Sequence, residues 1–409
     1  MIETPADTST ALPDYPMPRA TGCPFDPPPA LRDLQNEKPV SRVRIWDGTS
    51  PWVITRYEDL RALLGDPRIS ADPTRSGYPH RTAGMKDRDQ ARRTFLTMDD
   101  PEHARLRRMV TAPFTIKKVE SLRPSIQRIV DDLIDGMLSG PKPVDLVEAF
   151  ALPVPSLVIC ELLGVPYEKH DFFQRHTRVI VRRTSTADEV LAASEALTDY
   201  LDGLLAVKRA RPGDDLLSAL AVQRVATGEM TQRQAAEMGV LMLGAGHETT
   251  ANMIALGTLA LLRNPDQLAL LRDAEDPKVI ASAVEELLRY LNITHSGRRR
   301  VALEDIEIGG QVIHAGDGVI FANDIANRDP GAFPDPDRLD VTRDARRHVA
   351  FGFGVHQCLG QPLARVELQV VYSTLYSRIP TLALATGADR LDFKHDGLVY
   401  GVYELPVTW

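Results

Sequence analysis

The stretch FGFGVHQCLGQ, residues 351–361, surrounds one of only three cysteines in the chain with glycines. It places Cys358 among three glycines and just before an amphipathic run. Glycine lowers backbone order, and three of them near one cysteine would let backbone N–H groups approach its sulfur. Pro362 suits the first turn of a helix, whose positive N-terminal end favours a thiolate. The glycines are Gly352, Gly354 and Gly360.

The residues alone leave three interpretations of Cys358 open. It could be a small, buried apolar residue, which is the usual state of an isolated cysteine. It could be a nucleophile, with His348 or His356 as its base. It could also be a metal ligand, held as thiolate by the glycine-rich backbone and the helix that follows.

The composition is that of an ordinary globular protein. Of the 409 residues, 43% are hydrophobic and 25% charged, and the formal net charge is -8, so nothing favours nucleic acid or an anionic membrane as a partner. The three cysteines show no zinc-binding spacing, and no apolar run is long enough to span a membrane. We expect a cytoplasmic protein whose Pro-rich residues 1–30 are loosely ordered.

Helical periodicity dominates residues 100–291, and short strand-like segments flank it. The segment 41–57 resembles a strand pair around Asp47-Gly48, and 305–322 has the alternation of a hairpin around Gly309-Gly310. The end of the chain is also strand-like. This order predicts a mainly α fold with small β-sheets.

One predicted helix is unusual. A capping box at Thr231–Gln234 begins it, and Asn264-Pro265 ends it, so it exceeds thirty residues. Its middle, LMLGAGHETTANMIALG, is apolar nearly all round and should be buried. Gly244 and Gly246 each cost a helix interior about 1 kcal/mol, and polar residues follow them. A close helix crossing with one polar face explains this as well as a functional site does.

The stretch 351–361 closely resembles the haem-binding loop of cytochromes P450. The chain also has GAGHETT in the long helix, E-x-x-R at Glu286–Arg289 and H-x-x-x-R at His103–Arg107, all in the chain order of that family. The whole sequence is similar to the soluble actinobacterial branch, which hydroxylates macrolides, secosteroids and xenobiotics. The resemblance implies a cytochrome P450 fold, with a single triangular domain over residues 31–409.

The resemblance also implies a cofactor, haem b (iron protoporphyrin IX), with Cys358 as the proximal thiolate ligand. The long helix would cross the other haem face, where Ala245 and Gly246 keep its backbone close to the porphyrin. Glu248 and Thr249 would be the catalytic acid and alcohol pair. His247 is expected to pack or point outward, and Glu286 with Arg289 to be structural, with Arg338 as a third member.

Further cofactor-binding residues follow from the same resemblance. Cations should meet the two haem propionates, and Arg298 and Arg299 are expected to be solvated instead. The propionate candidates are His103, Arg107, Arg300, His348 and His356. The loop residues expected to pack under the porphyrin are Phe351, Gly352, Gly354 and Gly360.

The implied activity is that of a monooxygenase, which inserts one oxygen atom of O2 into a C–H bond of a bulky, mostly apolar small molecule. The chain has no flavin, NAD or iron–sulfur motif, so a ferredoxin and its NAD(P)H-dependent reductase should supply electrons. A monomer is expected. The alternatives are a peroxygenase, a haem-thiolate sensor or carrier without turnover, and a cysteine hydrolase.

Two sets of surface positions complete the expectations. A basic patch for the ferredoxin would comprise Arg105, Arg108, Lys117, Lys118, Arg346, Arg347 and Arg365. Candidate walls of the substrate pocket are Thr74–Thr94, His176–Arg183, Leu241–Ala245, Asn292–Ser296 and Leu398–Tyr400.

Overall fold

A computed structural model describes residues 12–20, 23–91, 94–181, 185–294, 296–395 and 399–409. Its α-helices are α1 (Pro29–Glu37), α2 (Tyr57–Leu64), α3 (Ala83–Ala91), α4 (Glu102–Thr111), α5 (Ile116–Ser139), α6 (Pro153–Leu163), α7 (His170–Val181), α8 (Ala187–Ala210), α9 (Leu216–Leu220), α10 (Gln232–Leu262), α11 (Pro265–Arg272), α12 (Pro277–Leu291), α13 (Asn323–Ala326) and α14 (Gln361–Arg378). Its strands are β1 (Val40–Arg42), β2 (Trp52–Ile54), β3 (Ile69–Ser70), β4 (Val144–Asp145), β5 (Arg298–Ala302), β6 (Ile306–Ile308), β7 (Gln311–Ile313), β8 (Gly318–Phe321), β9 (Ala383–Leu384) and β10 (Pro406–Thr408).

The expected fold class, mainly α with small sheets, is confirmed. The chain forms two compact units. The first comprises residues 1–103, 296–334 and 352–355, and the second comprises 104–295, 335–351 and 356–409. The expected single domain over 31–409 stays a prediction. So does a loose N-terminal segment, of which residues 1–11 and 21–22 lie outside the described residues.

The first unit is built on a five-stranded sheet in the order β1-β2-β8-β5-β3. The predicted strand pair at 41–57 is confirmed as β1 and β2, which are antiparallel with Val40 opposite Ile54. The predicted hairpin is confirmed as β6 and β7. Its turn residues, Gly309 and Gly310, have φ values of 57° and 74°, which glycine adopts without steric cost.

The second unit is helical, and α10 packs against α6, α8, α12 and α14. The predicted capping box is present: the Thr231 hydroxyl accepts from the Gln234 N–H at 3.1 Å, and the Gln234 side chain accepts from the Thr231 N–H at 2.9 Å. Among the described residues, no helix has the length and hydropathy to cross a membrane. A three-stranded sheet, in the order β4-β10-β9, contains the strand-like end of the chain.

The E-x-x-R motif lies on α12 and is fully buried. Arg289 donates to both carboxylate oxygens of Glu286, at 2.7 and 2.8 Å, and neither side chain is exposed. The prediction that Arg338 is the third member is wrong. The Arg338 side chain is exposed, and the Nε atom of Arg343 lies 3.2 Å from Glu286 instead. These residues hold α12 to the segment that precedes the cysteine loop, which is a structural role.

Candidate active site

The cysteine loop is closed by a backbone hydrogen bond in the second unit. The Cys358 N–H donates to the Phe351 carbonyl at 2.9 Å, so the residues between them form a compact turn. Gly360 then caps α14, and Pro362 occupies its first turn, as predicted. A Cβ atom at Gly360 would lie 3.9 Å from the Cys358 sulfur, in ordinary van der Waals contact, so this glycine adjoins the thiol without being required there by space.

The two earlier loop glycines belong to the first unit, and both need a left-handed backbone. Gly352 has a φ of 73° and Gly354 a φ of 74°. A Cβ atom at Gly352 would lie 3.0 Å from the Arg298 Nε atom, and one at Gly354 would overlap the Leu64 carbonyl. Glycine is therefore required at both positions by conformation and by space.

Arg107 lies beside the cysteine in the second unit. Its guanidinium donates to the Gln357 carbonyl at 2.6 Å. Burial lowers the pKa of Arg107, and the negative charge of an ionised Cys358 opposes that shift. This predicted cofactor-binding residue thus contributes a positive charge next to the thiol.

His348, another predicted propionate contact, has a different environment. Its Nε2 atom lies 3.3 Å from Glu285, and its Nδ1 atom accepts the Ala350 N–H at 3.1 Å. Arg365 donates to both oxygens of Glu285, at 2.6 and 3.0 Å, and its guanidinium lies 4.7 Å from the centre of the Phe351 ring. His348 is therefore held by Glu285 and by the Ala350 N–H, and its contact with a haem propionate stays a prediction.

Glu285 is the centre of this cluster. Its burial would raise its pKa, but the adjacent His348 and Arg365 side chains outweigh burial and lower the pKa to about 2. Glu285 was not among the predicted site residues. Its only signal in the sequence was its place next to Glu286.

The middle of α10 has an open apolar face. Gly244 and Ala245 are exposed there, although Leu243 and Ala251 on the same helix are buried. The Thr249 hydroxyl donates to the Ala245 carbonyl, one turn back, at 2.8 Å. Such a bond competes with the helical hydrogen bonds of that carbonyl and loosens the helix locally.

Two ionisable residues precede Thr249. His247 is buried, with its Nε2 atom 3.2 Å from the Leu152 carbonyl, and burial lowers its pKa to about 4, which confirms the predicted packing role. Glu248 is mostly buried, which raises its pKa. A carboxyl group with a raised pKa is a stronger base than a free one, as a group that relays protons should be.

Three consecutive arginines lie on β5 in the first unit. Burial lowers the pKa of Arg299 and of Arg300 to about 10, so the expectation that Arg299 is solvated is wrong. Arg298 is also partly buried. Strand alternation places Arg300 and Arg299 on opposite faces, since Arg300 pairs with Val319 and Arg299 with Ile320.

Arg300 has the features of a residue that meets a bound anion. Among the described residues, its one hydrogen bond is to the Arg299 carbonyl, at 2.7 Å, and it forms no ion pair. His103, in the same unit, is buried with its Nδ1 atom 3.0 Å from Asp100. His356 is half-buried.

The predicted pocket walls are described by the structure except at six positions. Residues 92–93, 182–183, 295 and 398 lie outside the described residues. The pair Arg182-Arg183 is among them.

The family profile described as "Cytochrome P450" matches residues 30–379. Cytochrome P450 GfsF of Streptomyces halstedii is 60% identical over 405 residues, which cover 98% of each chain. The crystal structure of GfsF has a TM-score of 0.94 and covers 97% of this chain and 100% of that one.

Two other relatives carry descriptions of their reactions. The 20-oxo-5-O-mycaminosyltylactone 23-monooxygenase of Streptomyces fradiae is 42% identical, over 96% of this chain and 92% of that one. The mycinamicin VIII C21 methyl hydroxylase of Micromonospora griseorubida, solved with mycinamicin VIII, is 41% identical with a TM-score of 0.88, over 97% of this chain and 100% of that one.

The helical fold and the glycine-flanked cysteine define a haem-thiolate oxygenase. The chain belongs to the cytochrome P450 family. It is a monooxygenase whose cofactor is haem b.

The residues present fit a haem. In the second unit, Cys358 is half-buried, and α10 offers an open apolar face with Gly244 and Ala245. In the first unit, Arg300 is a partly buried cation that forms no ion pair with any described residue, as a propionate partner should be. When bound, the haem supplies the iron at which O2 is reduced.

Proposed function

We propose that this enzyme hydroxylates a bulky, mostly apolar small molecule, with Cys358 as the iron ligand and Glu248 with Thr249 as the proton-delivery pair. One observation carries the proposal: an open apolar face at the middle of α10 adjoins a mostly buried carboxyl group and a hydroxyl that is hydrogen-bonded within the helix. Placing the Glu248 carboxyl and the Thr249 hydroxyl in so apolar a helix lowers the stability of the fold. A role in proton transfer would explain why the helix contains them.

The cofactor-binding set is proposed in two groups. In the second unit, Phe351, Cys358, Gly360 and Arg107 would surround the proximal side, and Ala245 with Gly246 would lie against the distal side. In the first unit, Arg300, His103 and Gly352 would contact the haem, and His356 completes the proposed set. The supporting facts are the orientation of the loop, the burial of the cations and the small residues on α10.

The substrate class rests on the apolar α10 face and on the relatives. Two relatives are described by their reactions on a tylactone derivative and on mycinamicin VIII. A large molecule with a mostly apolar surface suits a wall formed by Leu241, Gly244 and Ala245, which are exposed or half-buried. We infer that the substrate belongs to this size class.

We infer that a ferredoxin and its NAD(P)H-dependent reductase deliver the electrons. Arg105, Arg108 and Lys117 are exposed and form no ion pair with any described residue, so an acidic partner could neutralise them. Lys118, Arg346 and Arg365 already pair with Asp214, Asp344 and Glu285, which makes them weaker candidates. A cytoplasmic location and a monomeric state stay predictions.

The decisive experiment concerns the ligand. In Cys358→Ser, the reduced, CO-bound protein should lose the thiolate-type spectrum, because serine offers no thiolate. Cys160→Ser should keep it, since Cys160 is buried on α6 and burial raises the pKa of its thiol to about 12. Cys23→Ser should also keep it. A parental spectrum in Cys358→Ser would refute the assignment.

A second measurement separates turnover from the alternatives. NADPH consumption that depends on added ferredoxin and on substrate should accompany product formation. Product formed with hydrogen peroxide alone, at the same rate, would favour a peroxygenase. A normal CO spectrum without any turnover would favour a sensor or carrier.

A further inference from the structure

Glu248 is a carboxyl group in an apolar helix, and it needs a counter-charge when ionised. Its side chain is 19% exposed, and burial raises its pKa. Among the described residues, its one ion-pair partner is Lys394, whose Nζ atom lies 3.8 Å from the Glu248 Oε1 atom. Lys394 is 146 residues further along the chain, so no local sequence pattern joins the two.

Lys394 is itself held in a low-dielectric environment. Its side chain is 13% exposed, and its Nζ atom lies 5.7 Å from the centre of the Tyr403 ring. Burial lowers the pKa of Lys394, and the charge of Glu248 opposes that shift. Each of the two residues therefore favours the ionised form of the other.

A short antiparallel ladder near the C-terminus fixes the position of Lys394. The Lys394 N–H donates to the Gly401 carbonyl at 2.8 Å, and the Tyr403 N–H donates to the Asp392 carbonyl at 3.0 Å. Phe393 and Val402 form a β-bridge between these bonds. We call residues 392–395 and 400–403 the C-terminal ladder.

The C-terminal ladder contacts α10 one turn beyond Glu248. A Cβ atom at Gly401 would overlap the Asn252 amide oxygen, so glycine permits a close approach there. The amide nitrogen of Asn252 donates to the Glu248 carbonyl at 2.8 Å. The C-terminal ladder thus contacts α10 twice in this region: Gly401 packs against Asn252, and Lys394 lies near the Glu248 carboxylate.

The ion pair is close but is not a hydrogen bond. A separation of 3.8 Å is longer than the 2.7–3.2 Å expected for an N–H donor and an oxygen. The lysine therefore supplies charge without occupying the carboxylate oxygens. Those oxygens keep their lone pairs for water, which a group that relays protons needs.

We propose that Lys394 is a positioning residue for the hydroxylation reaction, and that it holds the Glu248 carboxylate ionised and oriented so that this group can take up protons and pass them on. This inference rests on the proton-delivery role proposed for Glu248. It assigns to the C-terminal ladder a part in the chemistry as well as in the fold.

The test compares Lys394→Met with Lys394→Arg. The methionine keeps the apolar stem and removes the charge, so kcat for hydroxylation should fall several-fold while KM stays within about twofold. The solvent isotope effect on kcat should change, because a proton-transfer step becomes slower. Arginine restores a cation and should recover most of the parental rate.

A spectroscopic measurement on the resting enzyme tests the role of Lys394 without relying on catalytic activity. The infrared band of the protonated Glu248 carboxyl group, identified by its absence in Glu248→Gln, should persist to higher pH in Lys394→Met than in the parent. The other ionisable groups nearby are His247, which burial keeps neutral above its pKa of about 4, and the Arg178–Glu148 pair beside it. Neither variant alters these groups.

Lys142→Met is the matched control. Lys142 also lies over an aromatic ring near the C-terminus, with its Nζ atom 4.5 Å from the centre of the Trp409 ring, but it is exposed and its hydrogen bond is to the Trp409 carbonyl. This variant should keep the rate, the isotope effect and the infrared band of the parent.

The outcomes separate the two claims. If Glu248→Gln is slow but Lys394→Met has parental kcat and an unshifted band, the inference about Lys394 is overturned and the role of Glu248 stands. If Glu248→Gln turns over at the parental rate, the proposed role of Glu248 fails, and the inference fails with it. If Lys394→Met adds no defect to Glu248→Gln, the two residues act together, as proposed.

Discussion

The Thr249 hydroxyl has one hydrogen, and the Ala245 carbonyl accepts it within the helix. Its oxygen can therefore accept a hydrogen bond from a water molecule, while Glu248 is the adjacent group able to exchange protons with that water. A residue used only for packing would not need a hydroxyl on the open face of α10.

Thr249→Ala should bind haem and substrate as the parent does, because the methyl and hydroxyl groups are lost from an open face. It should still consume NADPH, but the product formed per NADPH should fall by roughly tenfold or more, with hydrogen peroxide released instead. Thr249→Ser keeps the hydroxyl and should stay coupled. Coupling equal to the parent in Thr249→Ala would mean that the threonine is structural or that a substrate hydroxyl replaces it.

Arg300 is expected to hold a haem propionate. In Arg300→Ala the propionate would lose its buried cation, so the Kd for haem should rise by about tenfold or more. Arg299→Ala is the control, because Arg299 lies on the other face of β5. Haem content per protein, measured after purification and after dilution, checks the prediction. Equal losses in the two variants would contradict it.

At the scale of secondary-structure elements, the bounds of helices could be predicted because neighbouring residues in the sequence determine them. The bounds of α10 follow from the capping box at Thr231 and the stop at Pro265, and both are read from adjacent residues. The partner of Glu286 could not be chosen in the same way. Arg338 and Arg343 are both arginines in one loop, and only the path of that loop brings Arg343 back to α12.

A glycine of α10 gives a test at this scale. Tyr372 on α14 donates to the Met253 carbonyl at 2.5 Å, and a Cβ atom at Gly257 would overlap its hydroxyl. Gly257→Ala should therefore lower the free energy of unfolding by about 1–3 kcal/mol, despite the better helix propensity of alanine.

Gly203, on α8, is the matched position. A Cβ atom there would have no neighbour within 4 Å. Gly203→Ala should raise the free energy of unfolding by up to about 1 kcal/mol. Urea unfolding of both variants measures the difference. A stabilised Gly257→Ala would show that α14 shifts to make room.

At the scale of the whole molecule, one buried acid makes stability depend on pH. Glu367 on α14 is buried, and burial raises its pKa from 4.5 to about 8. Between these two values the unfolded chain has released the proton and the folded chain has kept it. The free energy of unfolding should therefore fall as pH rises through this window, by a few kcal/mol at the order-of-magnitude level.

Glu367→Gln should remove this dependence, since the amide does not titrate. Relative to the parent, it should gain little at pH 5 and the most at pH 8. His247 contributes a pH dependence of the opposite sign: because burial lowers its pKa to about 4, the free energy of unfolding should rise between pH 4 and 6.5. This contribution is the same in the parent and in Glu367→Gln, so it cancels when the two proteins are compared. Urea midpoints across pH measure the effect, and a constant difference between the proteins would contradict it.

Long-range pairing is where prediction from sequence stopped. Alternation in 305–322 identified its strands, but no local pattern shows that β8 leaves the hairpin and pairs parallel with β2. The ion pair of Lys394 with Glu248 was missed for the same reason. Contacts between distant segments follow from the path of the chain, which short motifs do not encode.

The first unit consists of three separate parts of the chain, and Trp52 on β2 pairs with Val319 on β8. During synthesis the ribosome releases β1 and β2 long before β8 exists, so β2 must wait with one open edge for most of translation. Cys358 emerges later still. Haem loading therefore belongs to the final stage of biogenesis, after the open edge of β2 has been covered by β8.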